Sequence, residues 1–170
     1  MTNGNLERLG SDGKRLETVA IRVATADDAA EILALQRRAY ESEARAYNDW
    51  SIPPLMQTLD SMLEDIQTIT VIKAMKGPSI VGSVRGKLCD QTCLVGRLIV
   101  EPALQGQGIG SALLQAIEQS FPEATDFELF TGDKSEGNIR LYSRHGSQIA
   151  GTKILSERVS IVVMNKRRRT

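Results

Sequence analysis

Three glycines at alternate positions, Gly106, Gly108 and Gly110, stand where an apolar run gives way to an amphipathic one. The stretch reads Leu98-Ile99-Val100-Glu101-Pro102-Ala103-Leu104-Gln105-Gly106-Gln107-Gly108-Ile109-Gly110-Ser111. Leu98 to Val100 closes a strand pattern, and Ile109, Ala112, Leu113, Ala116 and Ile117 then recur at helical spacing. The first-turn N–H groups of a helix have no partner inside it, and the helix dipole makes that end electropositive. Glycine lets the backbone approach a ligand closely. A strand, a glycine loop and a helix start therefore form a cradle for a phosphate or pyrophosphate. A kinase-type phosphate loop would end in Gly-Lys-Ser/Thr, and no lysine is present. A dinucleotide fold would need glycine where Ser111 stands and its first glycine directly after the strand. Asp133 lies where a ribose acceptor would sit, which keeps that reading as an alternative. A turn that merely tightens the junction is a second alternative, opposed by the chain entropy of three glycines.

About thirty residues on lies Asn138-Ile139-Arg140-Leu141-Tyr142-Ser143-Arg144-His145-Gly146. Asn138 and Tyr142 are four apart and share one helix face. Taken by itself, Tyr142 reads as a core aromatic on an amphipathic helix. Glu101 beside Pro102 reads, by itself, as a solvent-exposed carboxylate. His145, the only histidine, suits a partner for a helix C-terminus. Cys89 and Cys93 have no metal-like companions and read as small strand residues.

These groups need elements to hold them. Val19, Ile21 and Val23 alternate as a short strand. Thr25 with Asp28 resembles a capping box, and the periodic Ala29, Ile32, Leu33, Gln36 and Tyr40 predict a helix over 27–40. A polar loop from Tyr40 to Trp50 follows, and Pro53-Pro54 starts a second helix carrying Leu55, Leu59, Met62, Leu63 and Ile66. Strands are expected over 68–75, 80–89 and 93–100, joined by the turns Gly77-Pro78 and Asp90-Gln91. The helix after the glycines ends at Phe121-Pro122, followed by a strand over 127–131, a helix over 135–145 and strands over 148–155 and 158–164. Antiparallel strands with helices interposed give an α+β, mixed α/β, three-layer domain.

Gln105, Gly108 and Gly110 behind "LIVEP", with the Asn138…Leu141-Tyr142…Gly146 helix, resemble the GNAT superfamily of N-acetyltransferases over nearly the whole chain from Thr18 to Met164. The resemblance implies a central, mostly antiparallel mixed sheet splayed between the fourth and fifth strands, and an acetyltransferase domain over 18–165. It implies that acetyl-CoA is bound by Gln105, Gly106, Gln107, Gly108, Ile109, Gly110 and Ser111, with the backbone N–H groups from Gln107 through Ser111 on its pyrophosphate, and that Leu98, Ile99 and Val100 pair with its pantetheine arm. Pairing with the fifth strand would end at a bulge marked by Glu101-Pro102. Asn138 would touch the cofactor. Tyr142 would be the general acid, Glu101 the general base, and the Val100 N–H an oxyanion donor, in direct transfer to an amine through a tetrahedral intermediate. The acceptor would be a small-molecule or peptide amine, approached by Tyr40, Glu41, Glu43, Tyr47, Asp49 and Trp50. An aromatic usually follows the helix-ending glycine in this family, and here it is Ser147. A non-catalytic acyl-CoA-binding regulatory module is the alternative.

The 170 residues suit one domain, with a polar N-terminal arm over 1–17 and a basic tail over 166–170. With 21 basic and 21 acidic side chains the net charge is zero, so no nucleic-acid or membrane partner is expected. The N-terminal residues lack a signal-peptide core and the apolar runs are strand-length, so a cytoplasmic location is expected, with no metal. An accessible edge on the final strands is compatible with a homodimer.

Overall fold

The computed structural model describes residues 5–6 and 18–169. Among the described residues, besides the two-residue strand Asn5–Leu6, the strands are β1 (Val19–Val23), β2 (Thr70–Lys76), β3 (Ser79–Cys89), β4 (Thr92–Val100), β5 (Asp126–Gly132), β6 (Gln148–Ile154) and β7 (Ser160–Arg167). The helices are α1 (Ala29–Tyr47), the single turn α2 (Pro53–Met56), α3 (Leu59–Thr68), α4 (Ile109–Gln119) and α5 (Glu136–Arg144). The strands lie in one sheet in the order β1-β2-β3-β4-β5-β7-β6, and among the described residues only β4 and β5 run parallel. Most of the predicted arm over 1–17 lies outside the described residues, but Asn5–Leu6 pair with β1.

Residues that alternate along a strand point to opposite faces. Ile72, Val81 and Leu98 accordingly pack with Leu113, Ile117 and Tyr142 on one side. Their neighbours Val71, Ile80 and Ile99 pack with Ile32, Leu33, Leu35 and Met62 on the other. The sheet is thus sandwiched between α1 with α3 and α4 with α5, the three layers expected.

The helix boundaries differ from the sequence pattern. Helix α1 continues seven residues past Tyr40, because Ala44 and Tyr47 extend its buried face, and it closes at Asn48 in the left-handed conformation (φ 50°). Its entry is as expected, with the Thr25 N–H donating to Asp28 Oδ2 at 2.8 Å. The helix predicted from Pro53 is broken in two. Gln57 is extended, and Thr58 restarts it by accepting from the Ser61 N–H at 3.2 Å. The basic run from 166 begins inside β7. Lys166 pairs with Glu118 at 3.0 Å, and Arg168 donates to the carbonyls of Ala124, Glu118 and Phe121. Those charges satisfy the C-terminal end of α4 and the turn beyond it, which a count of charged residues cannot reveal.

Candidate active site

Strand β4 is held by β5 over only part of its length. Thr92 to Val95 pair with Asp126 to Leu129, and from Gly96 onward the two strands part. The cause is a bulge at Arg97 and Leu98, which begins four residues before the predicted Glu101-Pro102. On β3, Ser83 faces Ile99 while Arg85 faces Gly96, so Arg97 and Leu98 together oppose Val84. Arg97 takes a left-handed backbone (φ 49°) at that point. Beyond it, β4 stays paired to β3 on one side and is open on the other. Glu101 donates its N–H to Val81 O at 2.8 Å, toward β3. N–H groups alternate along a strand, so that of Val100 points into the gap.

The gap opens a cavity of about 740 Å³. Leu98, Ile99 and Val100 form one wall, and the glycine loop forms the end. Gly108 caps α4 with φ 87° and Gly106 has φ 79°, conformations that side-chain-bearing residues resist. That backbone turns the orphan N–H groups of α4 toward the cavity, whose lining includes Gln105, Gly106, Gly108, Ile109, Gly110 and Ser111. Gln107 is exposed and not part of that lining. His145 Nε2 lies 3.0 Å from Ser111 Oγ, fixing the first turn of α4 against the end of α5. Burial lowers the His145 pKa, favouring the neutral ring there.

Helix α5 supplies the opposite wall. Asn138 lines the cavity and its amide donates to Thr131 Oγ1 at 3.3 Å. Tyr142, one turn on, is 4% exposed, packs into the main core and is not among the lining residues. Burial, reinforced by Tyr40 and Glu43, pushes its hydroxyl well above the ordinary value, so it keeps its proton. Arg140 and Arg144 also line the cavity. Their spacing was visible in the sequence, but the direction of that face was not.

The third wall is the extended part of α1. Tyr40, Ser42 and Glu43 line the cavity, and the Ser135 hydroxyl donates to Glu43 Oε1. Burial and the Glu43 charge push Tyr40 up to about 12. Tyr47 donates to Asp133 Oδ1 at 2.6 Å and accepts from the Lys134 N–H at 3.0 Å, tying the end of α1 to the β5–α5 loop. Asp133 is therefore engaged by Tyr47. Glu101 is ion-paired with Arg38 at 2.8 Å and is not among the lining residues. Asp49 accepts from Ser51, and Glu41 and Trp50 are exposed. Among the described residues no cluster of His, Cys, Asp or Glu could hold a metal.

Among solved structures, the PaiA N-acetyltransferase of Thermoplasma acidophilum in complex with coenzyme A superposes with a TM-score of 0.74 at 15% identity, covering 88% of this chain and 99% of that one. The ribosomal-protein-S18-alanine N-acetyltransferase of Escherichia coli gives 0.71 at 14% identity, over 88% and 93%. YncA of Salmonella typhimurium, solved with acetyl-CoA, gives 0.69 at 17% identity, over 88% and 93%. At these identities the likeness is one of fold. No curated protein matches the sequence. The sequence itself matches the model of the Acetyltransferase (GNAT) family over residues 29–146, from the start of α1 through the glycine that ends α5, and the chain belongs to that family.

Proposed function

We propose that this protein is an acetyl-CoA-dependent N-acetyltransferase acting on the amine of a small molecule or peptide. The observation that carries this reading is the convergence of an unpaired β4 edge and the glycine-capped start of α4 on one cavity. The donor set fits acetyl-CoA: the α4 N-terminus suits its pyrophosphate, and the β4 edge suits an amide-bearing arm added as a further strand. Arg140 and Arg144 add positive charge for its phosphates. When bound, acetyl-CoA supplies the acetyl group as an activated thioester.

The chain's own groups then have separable tasks. The Val100 N–H donates to the acyl carbonyl oxygen as negative charge builds there. Glu43, on the cavity wall and oriented by Ser135, receives the acceptor ammonium and takes a proton from it. Tyr142 delivers a proton to sulfur. The N–C bond forms first, and the C–S bond breaks as the carbonyl is restored. In becoming a neutral amide the ammonium loses two protons; one restores Tyr142 and the other leaves through Glu43 to water. Glu101 can fill the base role only through water and after Arg38 releases it. The two free cysteines, one exposed and one buried, fit a reducing cytoplasm.

The test is release of free thiol from acetyl-CoA across a panel of amines, with the N-acetylated product identified by mass. Turnover that collapses in Glu43→Gln and survives in Glu101→Gln supports this assignment; the reverse pattern moves the base to Glu101. Binding of acetyl-CoA with no turnover of any amine favours the regulatory acyl-CoA module.

A further inference from the structure

Ser111 lines the cavity as the third residue of α4, within the first turn, whose N–H groups have no partner in the helix. Its Oγ lies 3.0 Å from Nε2 of His145, the only histidine of the chain. His145 is not among the lining residues and reaches the cavity through that hydroxyl. It closes α5, its N–H donating to the carbonyls of Leu141 and Tyr142 at 3.2 and 3.1 Å. The ring therefore stands between two helix ends of opposite sign. The C-terminal end of α5 favours an imidazolium, and the electropositive start of α4 opposes it.

The charged groups around the ring come from three elements. Burial lowers its pKa; Glu118 on α4 raises it, while Lys166 on β7 and Arg144 on α5 lower it. Lys166 and Glu118 are ion-paired at 3.0 Å, so their effects on the ring oppose each other. Lys166 passes close to the end of α5, since a Cβ on Gly146 would lie 3.7 Å from its Cε. Burial, Arg144 and the unmatched positive end of α4 thus hold the free ring neutral. An anion seated on α4 removes the last of these.

A serine hydroxyl has one proton to donate. Facing an unprotonated Nε2, Ser111 gives that proton to His145. Facing Nε2–H, it accepts from the ring and its own proton is free for another acceptor. We infer that His145 is a positioning residue for the coenzyme: as a phosphate seats on α4, the ring takes up a proton from solvent, donates through Nε2–H to Ser111 Oγ, and frees the Ser111 hydroxyl to donate to that phosphate. The inference rests on the acetyl-CoA reading of the cavity above. Because up to one proton enters with each ligand, affinity rises as pH falls through the range in which the ring titrates.

Calorimetric titration at about pH 6, near the ordinary histidine range, in buffers of different ionisation enthalpy gives the protons taken up per ligand bound. The ligands are acetyl-CoA and dephospho-acetyl-CoA, which lacks the 3′-phosphate, a monoester that itself titrates near about pH 6. The variant His145→Gln keeps an amide donor but cannot ionise, so a merely structural contact would survive in it. The wild type is expected to take up at least about a third of a proton more than His145→Gln with either ligand. Its affinity should gain on the variant by at least about twofold per unit fall in pH between about pH 7 and pH 5.5. Ser111→Ala should shrink that excess at least twofold. The wild-type proton count with dephospho-acetyl-CoA stands as a test even if His145→Gln folds poorly, because the chain has no other histidine. Equal proton counts in wild type and His145→Gln, proton release with dephospho-acetyl-CoA, or an excess that survives whole in Ser111→Ala would overturn the inference and leave the transfer reading intact. Failure of the wild type to bind acetyl-CoA would instead remove the transfer reading itself.

Discussion

Replacing Tyr142 by phenylalanine removes one oxygen and leaves the buried ring to fill the same space between α5 and the sheet. The hydroxyl is pushed upward by burial first and then by Tyr40 and Glu43. It therefore remains a proton donor above the pH at which a free phenol, of pKa about 10, would ionise. Loss of a positioned acid or base typically costs about 10²–10⁴ in rate. At about 1.36 kcal/mol per tenfold, that is roughly 2.7–5.4 kcal/mol of transition-state stabilisation. The expected outcome for Tyr142→Phe is thus a kcat lower by at least about a hundredfold, with the dissociation constant for acetyl-CoA close to that of the wild type. The assay is continuous thiol release with the best amine of the panel, alongside calorimetric titration of acetyl-CoA. The pH profile adds a second check. A raised pKa means the acid form persists as pH rises, so Tyr142 should cause no loss of kcat below about pH 10. A kcat within threefold of wild type, or equal losses of rate and binding, would refute the assignment of the proton donor.

Three further outcomes test the frame around the site. A Cβ on Gly132 would lie 2.5 Å from the Tyr47 hydroxyl, so Gly132→Ala must displace Tyr47 from Asp133. Overpacking of this kind costs about 1–3 kcal/mol, which at about 2–4 °C per kcal/mol predicts a melting temperature lower by roughly 2–12 °C. Arg168→Ala removes one donor from each of three carbonyls at and beyond the end of α4, of which Glu118 and Phe121 keep a backbone N–H, and removes a cation stacked 5.0 Å from the Phe127 ring. A loss of about 1–3 kcal/mol is expected in chemical denaturation, and no change would return the basic run to the role of a solvated end. Burial alone would raise Asp28, but Lys73 at 2.7 Å and Thr25 outweigh it and hold its carboxyl below the usual range. A depressed carboxylate stabilises the fold above its unfolded pKa of about 3.9 and loses that contribution as pH falls through the folded value. The stability of Asp28→Asn should therefore decline less than that of the wild type between about pH 5 and pH 2, as followed by urea denaturation.

The glycine-loop half of the cavity was legible because its signals are local. The alternation of Gly106, Gly108 and Gly110, the strand before them and the periodic helix after them all lie within one short segment. Asn138 was legible for the same reason, as one face of one helix. The half walled by α1 depends on contacts between distant segments. Glu41, Ser42 and Glu43 interrupt the apolar pattern of α1, so the helix reads as ending at Tyr40, although Ala44 and Tyr47 carry it onward against the β6–β7 turn. Glu43 thereby becomes a wall residue, whereas Glu101, nearer in sequence to the glycines, is drawn to Arg38 on α1. The bulge at Arg97 had a sequence trace in Gly96-Arg97, but its partner Val84 on β3 is set by a register that no single strand reveals.

The central claim is that the glycine-capped start of α4 and the open edge of β4 hold one acyl-CoA. Calorimetric titration with acetyl-CoA and with acetyl-pantetheine, which lacks the pyrophosphate, tests it most directly. One acetyl-CoA should bind per chain, and acetyl-pantetheine should bind at least tenfold more weakly, with the gap narrowing as salt is raised. Equal affinity for the two ligands, or no heat with either, would contradict the claim.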